Sequence, residues 1–245
     1  MADTKMEFAV QMTCKSCEEA VKAALNVPGI NSVYVDVPNE VVIVETSLPS
    51  SNVHKLLEST GKLIVFRGFG GQEQAPTSHQ GAAVVVMKGS GPVNGLLRMV
   101  QVSSNECVIE GTIDGLTPNK EHLLKIHDHG DLSNGCESCG DVYNVMMSKN
   151  GKSVSHSLPP VGDIAALQSD GSGRISFQTK SERVKVYDVI GRSMILHSSI
   201  PSVYGTRRLM CGIIARSAGL FQNTKKVCTC DGVTIWDEAA SQRQK

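Results

Sequence analysis

The residues best suited to chemistry in this chain are thiols, and they are grouped. Of eight cysteines, Cys14 and Cys17, Cys136 and Cys139, and Cys228 and Cys230 form close pairs, while Cys107 and Cys211 stand alone. Thiolate sulfur binds soft metals and exchanges disulfides. Close pairs in a reducing compartment therefore point to metal or redox chemistry before a structural disulfide framework. In Met12-Thr-Cys14-Lys-Ser-Cys17 the two thiols lie three positions apart in a loop that enters a helix. Both can turn toward one ion, and the partial positive charge of the helix N-terminus lowers thiol pKa and keeps the ligands ionised. Two soft thiolates suit Cu(I) better than Zn(II), which takes four ligands. Met12 is expected as a core plug beneath this loop, and Lys62 as a cation that offsets the anionic bis-thiolate complex. The motif alone also occurs in thiol–disulfide oxidoreductases and in half zinc sites. In Cys228-Thr-Cys230 a disulfide would close a small, strained ring, but the pair can clamp Cu(I) or exchange with an exposed partner thiol.

The elements that must hold the first pair read as alternating strand and helix. Residues 7–12 alternate polar and apolar as a half-buried strand does, and Cys17, Ala20, Val21, Ala24 and Leu25 follow helical spacing up to Pro28-Gly29. Residues 32–37 and 41–45 flank Pro38-Asn39 as a hairpin, Val53, Leu56 and Leu57 give a second helix, and Thr60-Gly-Lys62 leads into a last strand at 63–66, with Lys62 expected on that strand near the cysteine loop. The order is βαββαβ, a ferredoxin-like α+β unit over 1–70. By composition the chain reads as a linker from Gly68 to Gly81, with the domain boundary set at 71–81. From 82 to 216 the helical period gives way to short β-rich runs, including 83–87, 107–113 and 184–189, punctuated by Gly, Asn-Gly and Asp-Gly. An antiparallel barrel or sandwich is expected there. The tail, 217–245, is too short for its own core and is expected to stay flexible until it binds something.

Composition closes off other classes. Basic and acidic side chains balance at 24 each, so neither nucleic acid nor an anionic membrane has an electrostatic handle. Aromatics are only 4% and glycines number 23, which favours short strands and tight turns. No apolar leader or membrane-spanning run is present in the sequence, so a cytoplasmic location is expected.

The Met-x-Cys-x-x-Cys placement in a βαββαβ frame resembles the heavy-metal-associated domain of copper chaperones and copper ATPases. Residues 89–95, 111–117, 127–131, 189–193 and 208–214 resemble, in order and spacing, the copper/zinc superoxide dismutase family, which implies an eight-stranded Greek-key barrel. The three-part plan, down to the C-terminal CxC, resembles the family of copper chaperones that serve that dismutase.

The departures from the dismutase pattern matter most. In His122-Leu-Leu-Lys125-Ile-His127 one copper-ligand position holds Lys125, Val142 stands at the bridging-histidine position, and His197 matches the last copper ligand. Asp163 matches a zinc ligand, Pro160 replaces a histidine, and the remaining zinc position falls near Asn150, with His156 as a displaced alternative. His127, His197 and Asp163 are thus remnants, too few for copper or zinc. Arg208 matches the arginine that guides superoxide.

A barrel that keeps its framework while losing its ligands suggests a docking surface that mimics one subunit of an isologous dimer. The resemblance places this patch at Gly130, Asp131, Ile190, Gly191, Arg192, Ile213 and Arg216. It also implies an intrasubunit disulfide between Cys136 and Cys211, with Cys139 as an alternative partner for Cys136; Cys107 reads as a buried small hydrophobe. The implied function is a non-enzymatic copper metallochaperone. It would take Cu(I) on Cys14 and Cys17, dock on copper/zinc superoxide dismutase as a heterodimer, and complete its partner through Cys228 and Cys230, which also count as metal ligands. A homodimer in the partner's absence and a copper importer as donor are further partner expectations. The alternatives are a thiol–disulfide oxidoreductase and a copper-dependent dismutase with a fused metal-binding domain.

Overall fold

Alternation in the first seventy residues becomes a small sheet because one face of it finds two helices to pack against. In the computed structural model, which describes residues 4–70, 81–144, 159–202, 205–223 and 233–242, the elements are β1 (Thr4–Val10), α1 (Lys15–Ala24), β2 (Ile30–Asp36), β3 (Val41–Thr46), α2 (Ser50–Glu58) and β4 (Ile64–Gly70). The antiparallel sheet runs β2-β3-β1-β4. Met6, Phe8 and Val10 of β1, Val42 and Val44 of β3, and Val21, Val53 and Leu57 of the helices are fully buried. Phe8 meets Phe66 edge to face at 5.3 Å and lies 6.4 Å from the His54 ring of α2, which fixes the helix-covered side of the sheet.

The glycine-rich stretch begins later than composition suggests. β4 continues through Gly68 and Gly70, because Phe69 between them is buried at 2% exposure and packs at 6.3 Å from Phe66. By contacts the chain divides into Ala83–Arg216 and a second unit, Met1–Ala82 with Ser217–Lys245, so the described tail residues belong with the N-terminal sheet. Helix α4 (Ile235–Gln242) lies against β4. Its first turn is fixed by a reciprocal cap: the Asp237 carboxylate accepts from the Thr234 hydroxyl at 2.6 Å and N–H at 3.0 Å, and Asp237 N–H donates to Thr234 Oγ1. The spacing Thr234-x-x-Asp237 was the available sequence signal.

The unit Ala83–Arg216 is built from β5 (Ala82–Gly89), β6 (Asn94–Ser103), β7 (Glu106–Asp114), β8 (Glu121–His127), β9 (Asp163–Gln168), β10 (Ile175–Ser181), β11 (Ser193–Ser202) and β12 (Gly205–Arg216). These pair in the order β10-β7-β6-β5-β12-β11-β8-β9, a near-barrel with β9 and β10 as its end strands. Val85, Met87, Leu97, Met99, Ile109, Leu124, Ile126, Leu196 and Met210 fill it. A core of aliphatic and Met side chains accounts for a barrel in a chain so poor in aromatics.

One strand expectation fails here. Residues 184–189 do not extend; Val186–Val189 form a single helical turn, α3. Its buried Val186 and Val189 are three apart, Ile190 N–H closes the turn on Val186 O, and Gln101 Oε1 accepts from Val186 N–H at 2.9 Å. Val184 and Val186, two apart, fit a strand, while Val186 and Val189, three apart, fit a helical turn, and a buried glutamine supplied the deciding bond.

Candidate metal centre and docking face

At the end of β1 the chain leaves the sheet, and Cys14 caps α1 with extended backbone. Cys14 is exposed, Cys17 half-buried, and their sulfurs are 3.5 Å apart. Ser16 Oγ lies 2.9 Å from Cys14 Sγ, so its hydroxyl can donate to a thiolate there. Hydrogen bonding from the Lys62 ammonium, with help from the Thr13 backbone and Cys14, brings the Cys17 thiol down to about 6. At neutral pH this sulfur is a thiolate, the form that binds metal. Lys62 sits just before β4 rather than on it, and Met12 is buried beneath the loop at 3% exposure. Among the described residues no group of three or more His, Cys, Asp or Glu side chains converges. The thiols therefore form a two-ligand site, open on one side and short of the four donors zinc prefers. Such a site can accept a soft cation and pass it on when further sulfurs approach.

The barrel's histidines are arranged to the opposite effect. His127 and His197, 1% and 4% exposed, stack with ring centroids 5.1 Å apart and share a hydrogen bond between their Nε2 atoms at 2.9 Å. Gly140 O can only accept, so His127 Nδ1, at 2.9 Å from it, carries a proton. Neutral His127 then offers its Nε2 lone pair to His197 Nε2–H, and His197 Nδ1 accepts from the Thr206 hydroxyl at 3.0 Å. Every ring nitrogen of the pair is spent. Burial, together with the His127 ring and the cations Lys125 and Arg208, pushes His197 down to about 4, and burial likewise depresses His127. His122, buried beside them at 4% exposure, is also depressed by burial.

The other remnant is occupied too. Asp163 receives the Lys125 ammonium at 2.7 Å, across the β8–β9 ladder. Val142 forms an isolated bridge with His127 and brings only a hydrocarbon, and Pro160 brings no ligand atom. Asn150 and His156 lie outside the described residues. Arg208 donates to Cys136 O at 2.6 Å and Gly140 O at 2.8 Å.

Those two carbonyls belong to a loop that is also held covalently. Cys136 is bonded to Cys211 of β12, with Cα atoms 5.6 Å apart, which settles the alternatives for Cys136. Cys139 is a free thiol, fully buried in the same cluster with Ile195 and Cys211, and donates to Asp131 O at 3.4 Å. Cys107 is buried, and burial pushes its thiol up to about 12, which makes it inert.

On the outer surface of this unit Gly130, Gly191 and Arg192 meet the β12 backbone at Ile214, beside Ile213, while Arg216 lies farther along β12, paired with Ala83. Gly191 N–H donates to Ile214 O, Ile214 N–H donates to Arg192 O, and Gly130 backs directly on the Gly191 carbonyl. Gly191 has φ +84, a conformation that favours glycine. Arg192 ties the loops together: it donates to Asp128 O at 2.8 Å and stacks its guanidinium 4.1 Å over Tyr143. The Asp131 carboxylate is held below the usual range by the backbone N–H and side chain of Ser133. Ile213 is 40% exposed. Sequence reading missed two apolar neighbours, Leu132 at 39% and Val86 at 60%. Val86 could have been found from alternation, since β5 buries Ala83, Val85 and Met87 and so turns Val84, Val86 and Lys88 outward. Cys228 and Cys230 lie outside the described residues.

Comparison with known proteins follows the same division. Residues 93–214 match the copper/zinc superoxide dismutase family and residues 7–62 the heavy-metal-associated domain. A copper chaperone for superoxide dismutase from Rattus norvegicus is 44% identical over 251 residues, covering 95% of this chain and 88% of the relative. The protein of that name from Homo sapiens is also 44% identical, with the same coverage. The superoxide dismutase 1 copper chaperone of Saccharomyces cerevisiae is 31% identical, covering 94% of this chain and 92% of its own.

Proposed function

This chain belongs to the family of copper chaperones for superoxide dismutase, and on that premise we propose that it carries Cu(I) on Cys14 and Cys17 and delivers it in the cytosol to a copper/zinc superoxide dismutase. Copper is cargo here. It passes by ligand exchange, in which an incoming thiolate adds to the two-coordinate ion before an outgoing one leaves, so no free ion forms. The observation that carries the reading is the pair of sulfurs 3.5 Å apart with Lys62 holding Cys17 as thiolate, in a site where no third His, Cys, Asp or Glu ligand converges among the described residues. The barrel docks on the dismutase through the face around Gly191 and Ile213, taking the place of a second dismutase subunit. Cys228 and Cys230 then complete the target: as thiolates they relay copper, and once dioxygen has oxidised the emptied pair to a disulfide, itself being reduced to hydrogen peroxide, they exchange that disulfide with the target's reduced cysteine pair and end as a dithiol. An importer that presents Cu(I) on sulfur is a fitting donor, and a homodimer through the same face is the resting form when dismutase is absent.

The test mixes the Cu(I)-loaded chain with reduced apo-dismutase in air-saturated buffer, dioxygen being the oxidant, and follows complex, target disulfide and target activity separately. The wild-type chain yields all three. Replacing Cys228 and Cys230 by Ser should leave the complex and the copper on Cys14 and Cys17 in place, while disulfide and activity fall away. Full disulfide formation by that variant would remove the tail from the mechanism.

A further inference from the structure

Phe8 faces α2, so Glu7, one residue earlier in β1, points to the opposite side of the sheet, which the two helices leave open. A carboxylate there should be solvated. Instead Glu7 is only 3% exposed, and its Oε2 accepts from Phe221 N–H at 2.6 Å. The residues around that bond form a compact turn. Gly219 N–H donates to Gln222 Oε1 at 3.1 Å, and Phe221 adopts φ +62, a left-handed conformation unfavourable for an aromatic residue. The turn rests on two glycines of β4. A Cβ on Gly70 would sit 2.6 Å from Leu220 Cδ1, and one on Gly68 would sit 2.9 Å from the Gly219 carbonyl carbon. Any side chain at either position would lift the segment off the sheet.

We propose that this face is a docking site for the chain's own residues 219–222, and that Glu7, Gly68 and Gly70 are positioning residues for copper handover within one molecule. The second half rests on the proposed delivery of copper from Cys14 and Cys17. Cys14 follows Glu7 by seven residues and Cys228 follows Gln222 by six, so each thiol pair is tethered within roughly 25 Å of chain from the anchor. Tethers of that length give effective concentrations of about millimolar. At micromolar chaperone, transfer to the chain's own tail then outpaces transfer to another molecule by on the order of 10³.

The docking is read on the metal-free full chain by hydrogen exchange. The Phe221 amide should exchange at least ~100-fold more slowly in the wild type than in Gly70→Val. Leu220→Asp, which leaves the sheet's sequence intact, should release it equally, while the Val42 and Val44 amides of β3 keep their protection. A Phe221 amide that is unprotected in the wild type, or protected in Leu220→Asp, would overturn the docking. The positioning role is read on Leu220→Asp loaded with Cu(I) and mixed at micromolar concentration with reduced apo-dismutase. Uptake at Cys14 and Cys17 should be unchanged and delivery slowed about tenfold or more. Delivery at the wild-type rate would overturn that role. Wild-type chain that protects Phe221 yet delivers no copper would remove the delivery reading and leave the docking standing.

Discussion

At the Cys14–Cys17 loop two sulfurs stand 3.5 Å apart at the open start of a helix, with an ammonium bonded to one of them. At the His127–His197 pair two imidazoles stand 2.9 Å apart, sealed in the barrel, with each ring nitrogen already bonded. Both carry side chains that ligate metals. The first holds Cys17 as a thiolate and is under-coordinated and reachable; the second is neutral, saturated and buried. Metal affinity in a folded chain therefore depends less on which residues converge than on whether their lone pairs are free and their charge is unmatched. A carrier needs the first condition, since an ion held by two soft ligands can be taken by a third.

The strongest way to break the contrast is to exchange the roles of the two regions. With Cys228 and Cys230 already changed to Ser, the further pair Cys14→Ser and Cys17→Ser should abolish Cu(I) uptake in competition with a chromophoric chelator. In the same background, His127→Gln with His197→Gln should leave the stoichiometry unchanged. Copper lost with the histidines and kept with the serines would invert the comparison.

The barrel's part is assigned to its outer face. Ile213→Glu, at an open and 40% exposed position, should leave the fold intact and place a carboxylate in the apolar contact. An unpaired charge in a desolvated interface costs several kcal/mol, and each 1.4 kcal/mol is tenfold, so dismutase binding should weaken by roughly two orders of magnitude or more. Normal binding by calorimetry would move the interface elsewhere. Gly191→Glu is the less clean test, since φ +84 strains any other residue there.

Two smaller effects sharpen the electrostatic difference. Lys62→Met removes the largest cause of the low Cys17 value, so its titration should move up from about 6 toward the ordinary thiol value of 9. Alkylation of Cys17 at pH 7 should slow roughly tenfold as the thiolate fraction falls. An unchanged pH profile would leave the backbone as the cause. In the barrel the sign is the reverse of a stabilising charge. His197 titrates at about 4 when folded and near 6.5 when unfolded, so between those values the unfolded chain binds the extra proton. Barrel stability should be complete above pH 7, fall as pH drops from 6.5 to 4, and fall less steeply in His197→Gln. Denaturant midpoints measured across that range check it.

Much of this was legible in the sequence because it depended on local pattern. Period-two alternation and Pro-Gly punctuation placed the βαββαβ order, and the loop position of Cys14 and Cys17 followed from it. What escaped depended on long-range partners. The run 184–189 has the composition of a strand, but Gln101, more than eighty residues away, holds Val186 in a helical turn. Gly68 and Gly70 read as linker because their reason for being glycine, the turn at 219–222, is nearly 150 residues distant. The resemblance left Cys136 two possible partners, and the placement of β12 selects Cys211. The loss of ligands at Lys125 and Val142 was visible, but not that Lys125 reaches Asp163, which requires the β8–β9 register.

That ion pair has a consequence for when the protein can exist. A fold stabilised by a dissociable cation gains free energy in proportion to the logarithm of the free ion concentration, so its population declines as the ion becomes scarce. Lys125 supplies its positive charge on a covalent stem, at a local concentration that no chelator or dietary shortage can lower. At this position the barrel's folding is thereby uncoupled from the concentration of any free cation.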